Sequence, residues 1–132
     1  MKEIVYPSPE LIIQFNALAI TMFETKKADS SKLLSYTKLL EAIEKCKKIE
    51  GDIYDKAAIL LEELVKAHAF ASGNRRTAFI TTKDFIKKNK EKFNIKDDPN
   101  NAKILTGIRE GYYKTKEIKE WIKNGKIRKF ER

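Results

Sequence analysis

Hydrophobic residues recur along most of the chain at the three- and four-residue spacing of an α-helix. The 132 residues include only five glycines and three prolines, so long stretches can remain helical without interruption. The pattern predicts an all-α fold, and the length suits one domain over residues 1–132.

The first predicted helix is marked by its start signal and by its apolar composition. Ser8 precedes Pro9 in the arrangement typical of a helix N-cap followed by proline at the first helical position. The helix continues to about Phe23, and because nearly every residue in it is apolar, we expect it to be largely buried. A polar connection is predicted over residues 26–31.

Two further helices are predicted before the middle of the chain. The second runs from Ser31 to Lys48, and a glycine at position 51 separates it from the next. Its predicted inner face consists of five aliphatic residues: Leu33, Leu34, Leu39, Leu40 and Ile43. The third helix runs from about Ile53 to Ala69, and its inner stripe has four members: Ala57, Leu61, Leu64 and His68.

The second half of the chain is predicted to contain three helices. The fourth starts at Asn74 or Arg75 and ends at about Asn89, and its small and apolar first half indicates a central position. Residues 93–95 form either a short strand or an extended link. Two short helices complete the fold: one from the turn at 97–100 to about Gly111, and one that Thr115 caps and that runs to Asn124, with Trp121 filling the core.

The positive net charge suggests an anionic partner but does not say of which kind. Lys and Arg number 28 against 19 Asp and Glu, a formal net charge of +9, which can indicate nucleic acid or an acidic protein. Most of these cations are scattered lysines, including those of a basic tail at about 125–132, and scattered lysines are typical of a solvated surface. Nucleic acid is therefore not the expected partner, because no aromatic-rich basic stripe accompanies the charge.

Two residue types that occur only once in the sequence exclude several kinds of site. The only cysteine, Cys46, excludes an intrachain disulfide framework, and the only histidine, His68, excludes a metal site built on a histidine pair. Lysines beside Cys46 can lower the pKa of its thiol, but we expect an ordinary surface or half-buried thiol. The chain shows no signal peptide and no apolar run long enough for a bilayer, which predicts a cytoplasmic protein with no membrane partner.

The residues with candidate chemistry lie close together in the middle of the chain. His68 ends an apolar helix, Gly73 lets the backbone approach a ligand, and the next helix begins at once. The first N–H groups of such a helix can bind phosphate, and Arg75 and Arg76 lie in its first turn. Each feature alone has an ordinary structural explanation. Together they predict a general base beside a bound polyphosphate, with Asn74 and the arginines holding the charge that develops on phosphorus.

The spacing of these residues resembles the signature of the Fic/Doc family. The pattern H-x-F-x-x-G-N-x-R occurs here as His68, Phe70, Gly73, Asn74 and Arg76. Two further segments resemble the Doc (death-on-curing) branch: the Arg-Thr-Ala that ends the motif, and the Ser-Pro-Glu-Leu at residues 8–11, which is similar to the Ser-Pro-Glu-x-Leu opening of Doc-like chains. Phenylalanine stands where Fic enzymes usually carry a further arginine.

The resemblance covers roughly residues 5–124 and implies both a fold and an activity. The implied fold is a compact helical bundle in which the motif loop, residues 68–76, lies between two core helices. The implied activity is transfer of a group from ATP to a hydroxyl of a target protein. Doc proteins transfer phosphate to elongation factor Tu and act as toxins that an antitoxin counters, whereas Fic enzymes typically transfer AMP.

The same resemblance implies a role for each motif residue. His68 would be the general base, and Phe70 would anchor the loop in the core. Four residues would form the anion nest that holds phosphate: Gly73, Asn74, Arg75 and Arg76.

The chain departs from the family pattern at Ser72. Members that use Mg²⁺ have Asp or Glu at this position, and a serine hydroxyl is a weaker ligand for a hard divalent cation. Either phosphates and water alone hold the ion, another carboxylate reaches it, or the protein has lost catalysis and kept nucleotide or partner binding. The sequence therefore leaves a Doc-like transferase, an AMP transferase and a non-catalytic Fic-fold binding module as alternatives.

Overall fold

A computed structural model describes residues 3–23 and 31–131 of the chain. These residues contain six helices: α1 (Pro9–Phe23), α2 (Tyr36–Lys48), α3 (Ile53–Ala67), α4 (Asn74–Lys88), α5 (Asn101–Arg109) and α6 (Thr115–Asn124). The fold is all-α, as the hydrophobic pattern predicts. None of the described helices is both long and apolar enough to cross a bilayer. Residues 26–30 of the predicted polar connection lie outside the described ranges.

Helices α3 and α4 form the centre of the molecule. α3 packs against α2, α4, α5 and α6, and α4 also packs against α1. The predicted stripe of α3 is buried at Ala57, Leu61 and Leu64, while Phe85 and Ile86 bury the far end of α4. The loop that joins these two helices therefore lies between core helices, as the family resemblance implies.

Helix α1 begins as predicted but buries only one face. The Ser8 hydroxyl accepts a hydrogen bond from the Leu11 N–H at 3.1 Å, which confirms Ser8 as the cap. Asn16 is buried, whereas Leu18 and Met22 are exposed. The prediction of a largely buried helix is wrong for this outer face, because among the described helices α1 packs on α4 and α2 alone.

Helix α2 begins at Tyr36 rather than at Ser31, because the residues before it pair with the motif loop. Leu33 forms an isolated antiparallel β-bridge with Phe70, and the Leu34 N–H donates to the Ala69 carbonyl at 2.7 Å. An extended segment that bonds to another loop cannot also close helical turns.

The predicted inner face of α2 is therefore only partly correct. Leu39 and Ile43 are buried. Leu33, Leu34 and Leu40 are exposed, the first two because their segment is extended and not helical. The aliphatic residues of this segment face solvent beside the motif loop.

The second half of the chain follows the prediction closely, with one wrong cap. Residues 93–95 form an extended link and no strand. Thr115 does not cap α6: the N-cap is Lys114, whose backbone N–H donates to the Glu117 carboxylate at 2.8 Å. The Thr115 hydroxyl instead donates to Glu62 of α3 at 2.6 Å, so it joins two helices. Trp121 is buried, as predicted.

Cys46 lies at the inner face of α2 and is fully buried, so the expectation of a surface or half-buried thiol is wrong. Burial raises the pKa of the Cys46 thiol to about 12, although Lys56 and Lys47 act in the opposite direction. The desolvation of the thiolate outweighs the attraction of the two lysines. This thiol is a core residue.

Candidate functional site

The end of α3 directs His68 into a cleft. The helix stops at Ala67, and His68 adopts a left-handed conformation with φ 50° and ψ 48°. We expected the helix to continue to Ala69 with His68 on the apolar stripe. The left-handed turn instead takes the imidazole off that stripe, so the residue is exposed and lines the cleft.

The loop after His68 is fixed by Phe70 and Asn74. The Phe70 side chain is buried, as its predicted anchoring role requires. The Asn74 side chain binds both backbone groups of Phe70: Oδ1 accepts from the N–H at 3.0 Å, and Nδ2 donates to the carbonyl at 2.8 Å. The same Nδ2 lies 3.4 Å from Nδ1 of His68. Asn74 thus closes the loop and borders the imidazole, and its contact with phosphate stays a prediction.

Gly73 lets the loop turn sharply into α4 while α1 packs behind it. Its φ is +76°, in the region that favours glycine. A Cβ at this position would come within 3.0 Å of Ile20 Cδ1 and 3.2 Å of Asn16 Nδ2. α4 begins at the next residue, so the first N–H groups of α4, which have no intrahelical partner, lie at the cleft.

Asn16 of α1 braces this loop from inside the molecule, and sequence analysis missed it. Its Nδ2 donates to the Ser72 carbonyl at 3.0 Å and to the Thr77 hydroxyl at 3.1 Å, and its Oδ1 accepts from the Ser31 hydroxyl at 2.9 Å. The residue is fully buried. The available signal was an amide inside an otherwise apolar helix, because a buried polar side chain needs partners.

The predicted site residues meet in a cleft of about 380 Å³. One wall consists of His68 and residues 71–76, and the other comes from α5, with Ala102, Leu105 and Arg109. Every predicted site residue except the buried anchor Phe70 lines this cleft.

A second cleft of about 400 Å³ lies between α5, α6 and the C-terminal segment. Trp121, Ile104 and Phe130 line it, together with charged residues. It contains none of the motif residues, so its size alone does not make it the functional site.

Arg75 is held across the cleft by α5. Its Nη1 donates to the Thr106 hydroxyl at 2.6 Å. Burial lowers the pKa of Arg75, and the nearby Arg109 and Arg76 lower it further. Arg109 was not predicted, because it belongs to no motif. It lies one turn after Thr106 on the same face of α5, and packing of α5 brings that face to the cleft.

The described residues do not fit a resident magnesium ion. They contain no group of three or more His, Cys, Asp or Glu side chains that could hold a metal. The described lining of the cleft includes no carboxylate, and the position next to Gly73 is Ser72. Mg²⁺ is usually held through one or two carboxylates together with phosphates and water.

Comparison with known proteins agrees with the motif. No curated protein matches the chain. The model of the Fic/DOC family matches residues 6–86, which is more than half of the chain. The match includes α1, α2, α3, the motif loop and most of α4, and thus all the predicted site residues. This chain therefore belongs to the Fic/DOC family.

Proposed function

We propose that the protein transfers the γ-phosphate of ATP to a hydroxyl group of a target protein, with His68 as the general base. The observation that carries the proposal is the cleft itself. In it, His68 shares one space with the N-terminus of α4 and with the guanidinium groups of Arg75, Arg76 and Arg109.

The proposed step is an in-line displacement at phosphorus. The oxygen of a Ser or Thr hydroxyl forms a new bond to the γ-phosphorus, and the bond from that phosphorus to the β–γ bridging oxygen breaks. ADP leaves with the bonding electron pair. The neutral ring of His68 takes the hydroxyl proton on the nitrogen that lacks one, while the arginines and the α4 N–H groups stabilise the charge on the phosphate oxygens.

The resemblance to the Doc branch supports phosphate as the transferred group. It also supports a translation elongation factor as the target and an antitoxin as the partner of this chain. These three assignments belong to the proposal, since the family match itself reaches only the coarser level of Fic/DOC membership.

Labelled ATP tests the proposal directly. Purified protein is incubated with elongation factor and with cell extract, once with label on the γ-phosphate and once with label on the α-phosphate. We expect transfer of the γ-label only. The matched inactive variant is His68→Asn, because asparagine tolerates the left-handed backbone at this position but offers no base. The absence of label on any protein from either ATP contradicts the proposal.

Two alternatives give different results in the same experiment. Transfer of the α-label identifies an AMP transferase. A non-catalytic binding module, which Ser72 favours because the family carboxylate is missing, would bind ATP without transferring either label. In that case Ser72→Asp should create metal-dependent transfer.

A further inference from the structure

We propose that the cleft binds the polyphosphate of its nucleotide without a divalent cation, because Arg109 and Arg75 together supply the positive charge. The proposal rests on the proposed function and concerns how that same site neutralises its ligand. The family resemblance implies magnesium, whereas the described residues provide no carboxylate in the cleft to hold it, and the proposal follows from this difference.

Two helices deliver the charge from opposite walls of the cleft. Arg75 lies in the first turn of α4, and Arg109 is the last residue of α5. The Thr106 hydroxyl accepts a hydrogen bond from Arg75 and itself donates to the Ala102 carbonyl at 3.0 Å. The Arg75 side chain is therefore positioned before any ligand arrives, which lowers the entropic cost of binding phosphate.

Arg75 is repelled by the positive charges of two neighbouring arginines. Arg109 and Arg76 both lower the pKa of Arg75, which reports their proximity. A bound triphosphate would convert this repulsion into attraction, whereas a free divalent cation would be repelled by the same charges. Guanidinium groups also form paired hydrogen bonds to phosphate oxygens.

Position 72, where the family pattern has a carboxylate, is a serine in this chain. The Ser72 carbonyl accepts a hydrogen bond from Asn16. A hydroxyl is the only side-chain oxygen that this position offers. The described wall of the cleft thus offers a phosphate several cations and offers a metal ion no carboxylate.

Calorimetric titration of the full chain with ATP tests the inference, once in EDTA and once with excess Mg²⁺. We expect the two affinities of the unmodified protein to agree within about threefold, a difference of less than 1 kcal/mol by the usual conversion. Arg109→Gln should weaken binding about tenfold or more in both buffers, as expected for one lost charge-assisted hydrogen bond. Lys103→Gln makes the same charge change on α5 but lines the other cleft, and it should bind like the unmodified protein.

Ser72→Asp provides the converse test. A carboxylate beside the phosphates should weaken ATP binding in EDTA, and Mg²⁺ should restore it. The inference is overturned if the unmodified protein binds ATP more than about tenfold more weakly in EDTA than in excess Mg²⁺. It is also overturned if Arg109→Gln binds ATP unchanged. Absence of ATP binding in both buffers contradicts the proposed function itself, so the two failures are distinguishable.

Discussion

At the scale of single residues, the motif loop is shaped by side chains behind the cleft as much as by those that line it. Gly73 allows α1 to approach the loop, and Asn16 then ties that helix to the Ser72 carbonyl and the Thr77 hydroxyl. Asn16 is buried and these two bonds are buried or partly buried, so a partner left unpaired would be costly. Positioning of the loop and stability of the core therefore depend on the same amide.

Asn16→Ala should lower both the stability and the nucleotide affinity of the protein. The buried Thr77 hydroxyl and the partly buried Ser72 carbonyl each lose a hydrogen bond, so we expect a loss of about 1–3 kcal/mol in the free energy of unfolding. Denaturant titration and ATP titration measure the two effects. The control is Thr21→Ala on the same helix, because the Thr21 side chain is exposed and its hydroxyl donates to the Ala17 carbonyl of α1 itself. Unchanged stability in Asn16→Ala would show that the brace contributes nothing.

Cys46 should resist thiol reagents in the folded protein. The side chain is fully buried and its thiol pKa is raised to about 12, so at pH 8 there is almost no thiolate to react and no access to it. We expect slow labelling by a maleimide under native conditions and rapid labelling in denaturant. Rapid native labelling would place Cys46 outside the core.

At the scale of elements, the motif loop is held in place by the segment before α2, by α1 and by α5. The segment before α2 pairs with Ala69, Phe70 and Ala71, α1 supports Ser72, and α5 holds Arg75. Each of these contacts comes from a different part of the chain. The loop therefore requires the assembled helices for its shape.

Lys56 stabilises the junction between α2 and α3. Its buried Nζ donates to the carbonyls of Lys47 at 3.1 Å and Ile49 at 2.8 Å, at the C-terminus of α2. Lys56→Met should cost about 1–3 kcal/mol of unfolding free energy, since charge-assisted bonds are lost and carbonyls are left unpaired. Lys66→Met on the same helix removes a bond from an exposed lysine to Glu62, which keeps its hydrogen bond from Thr115, and should cost less than about 1 kcal/mol. Equal losses of unfolding free energy in both variants would show that Lys56 does not stabilise the C-terminus of α2.

The helices could be predicted because hydrophobic periodicity and caps are local signals. The late start of α2 could not, because it depends on a β-bridge between Leu33 and Phe70, which are far apart in sequence. Likewise, the motif spacing predicted that His68 and Arg76 lie together, and both line the cleft, but Arg109 and Asn16 reach it or its loop through tertiary packing. The conformation of His68 was also missed, since helix periodicity gives no warning of a left-handed residue.

At the scale of the whole molecule, arginine and lysine are divided by location. Three of the five arginines line the cleft, while the lysines that dominate the net charge of +9 are mostly exposed. Arginine suits paired phosphate contacts, whereas scattered lysines mainly keep a protein soluble. The clustered arginines and the scattered lysines therefore occupy different parts of the surface.

The C-terminal segment should loosen in acid. Arg128 holds the pKa of Glu117 below its ordinary value, chiefly through a hydrogen bond, so this pair stabilises the folded state at neutral pH. The contribution is lost as pH falls through the lowered pKa, and it is small because solvent screens this partly exposed pair. The free energy of unfolding should therefore fall less between pH 7 and pH 3 in Glu117→Gln than in the unmodified protein. An identical fall in both would exclude this pair as a source of the acid sensitivity.

A crystal structure of the protein with a non-hydrolysable ATP analogue tests the proposed site most directly. We expect the triphosphate in the cleft between the first turn of α4 and Arg109, with the terminal phosphate beside the imidazole of His68. A triphosphate bound elsewhere, for example in the cleft beside Trp121, or an imidazole turned away from the phosphate, would contradict it.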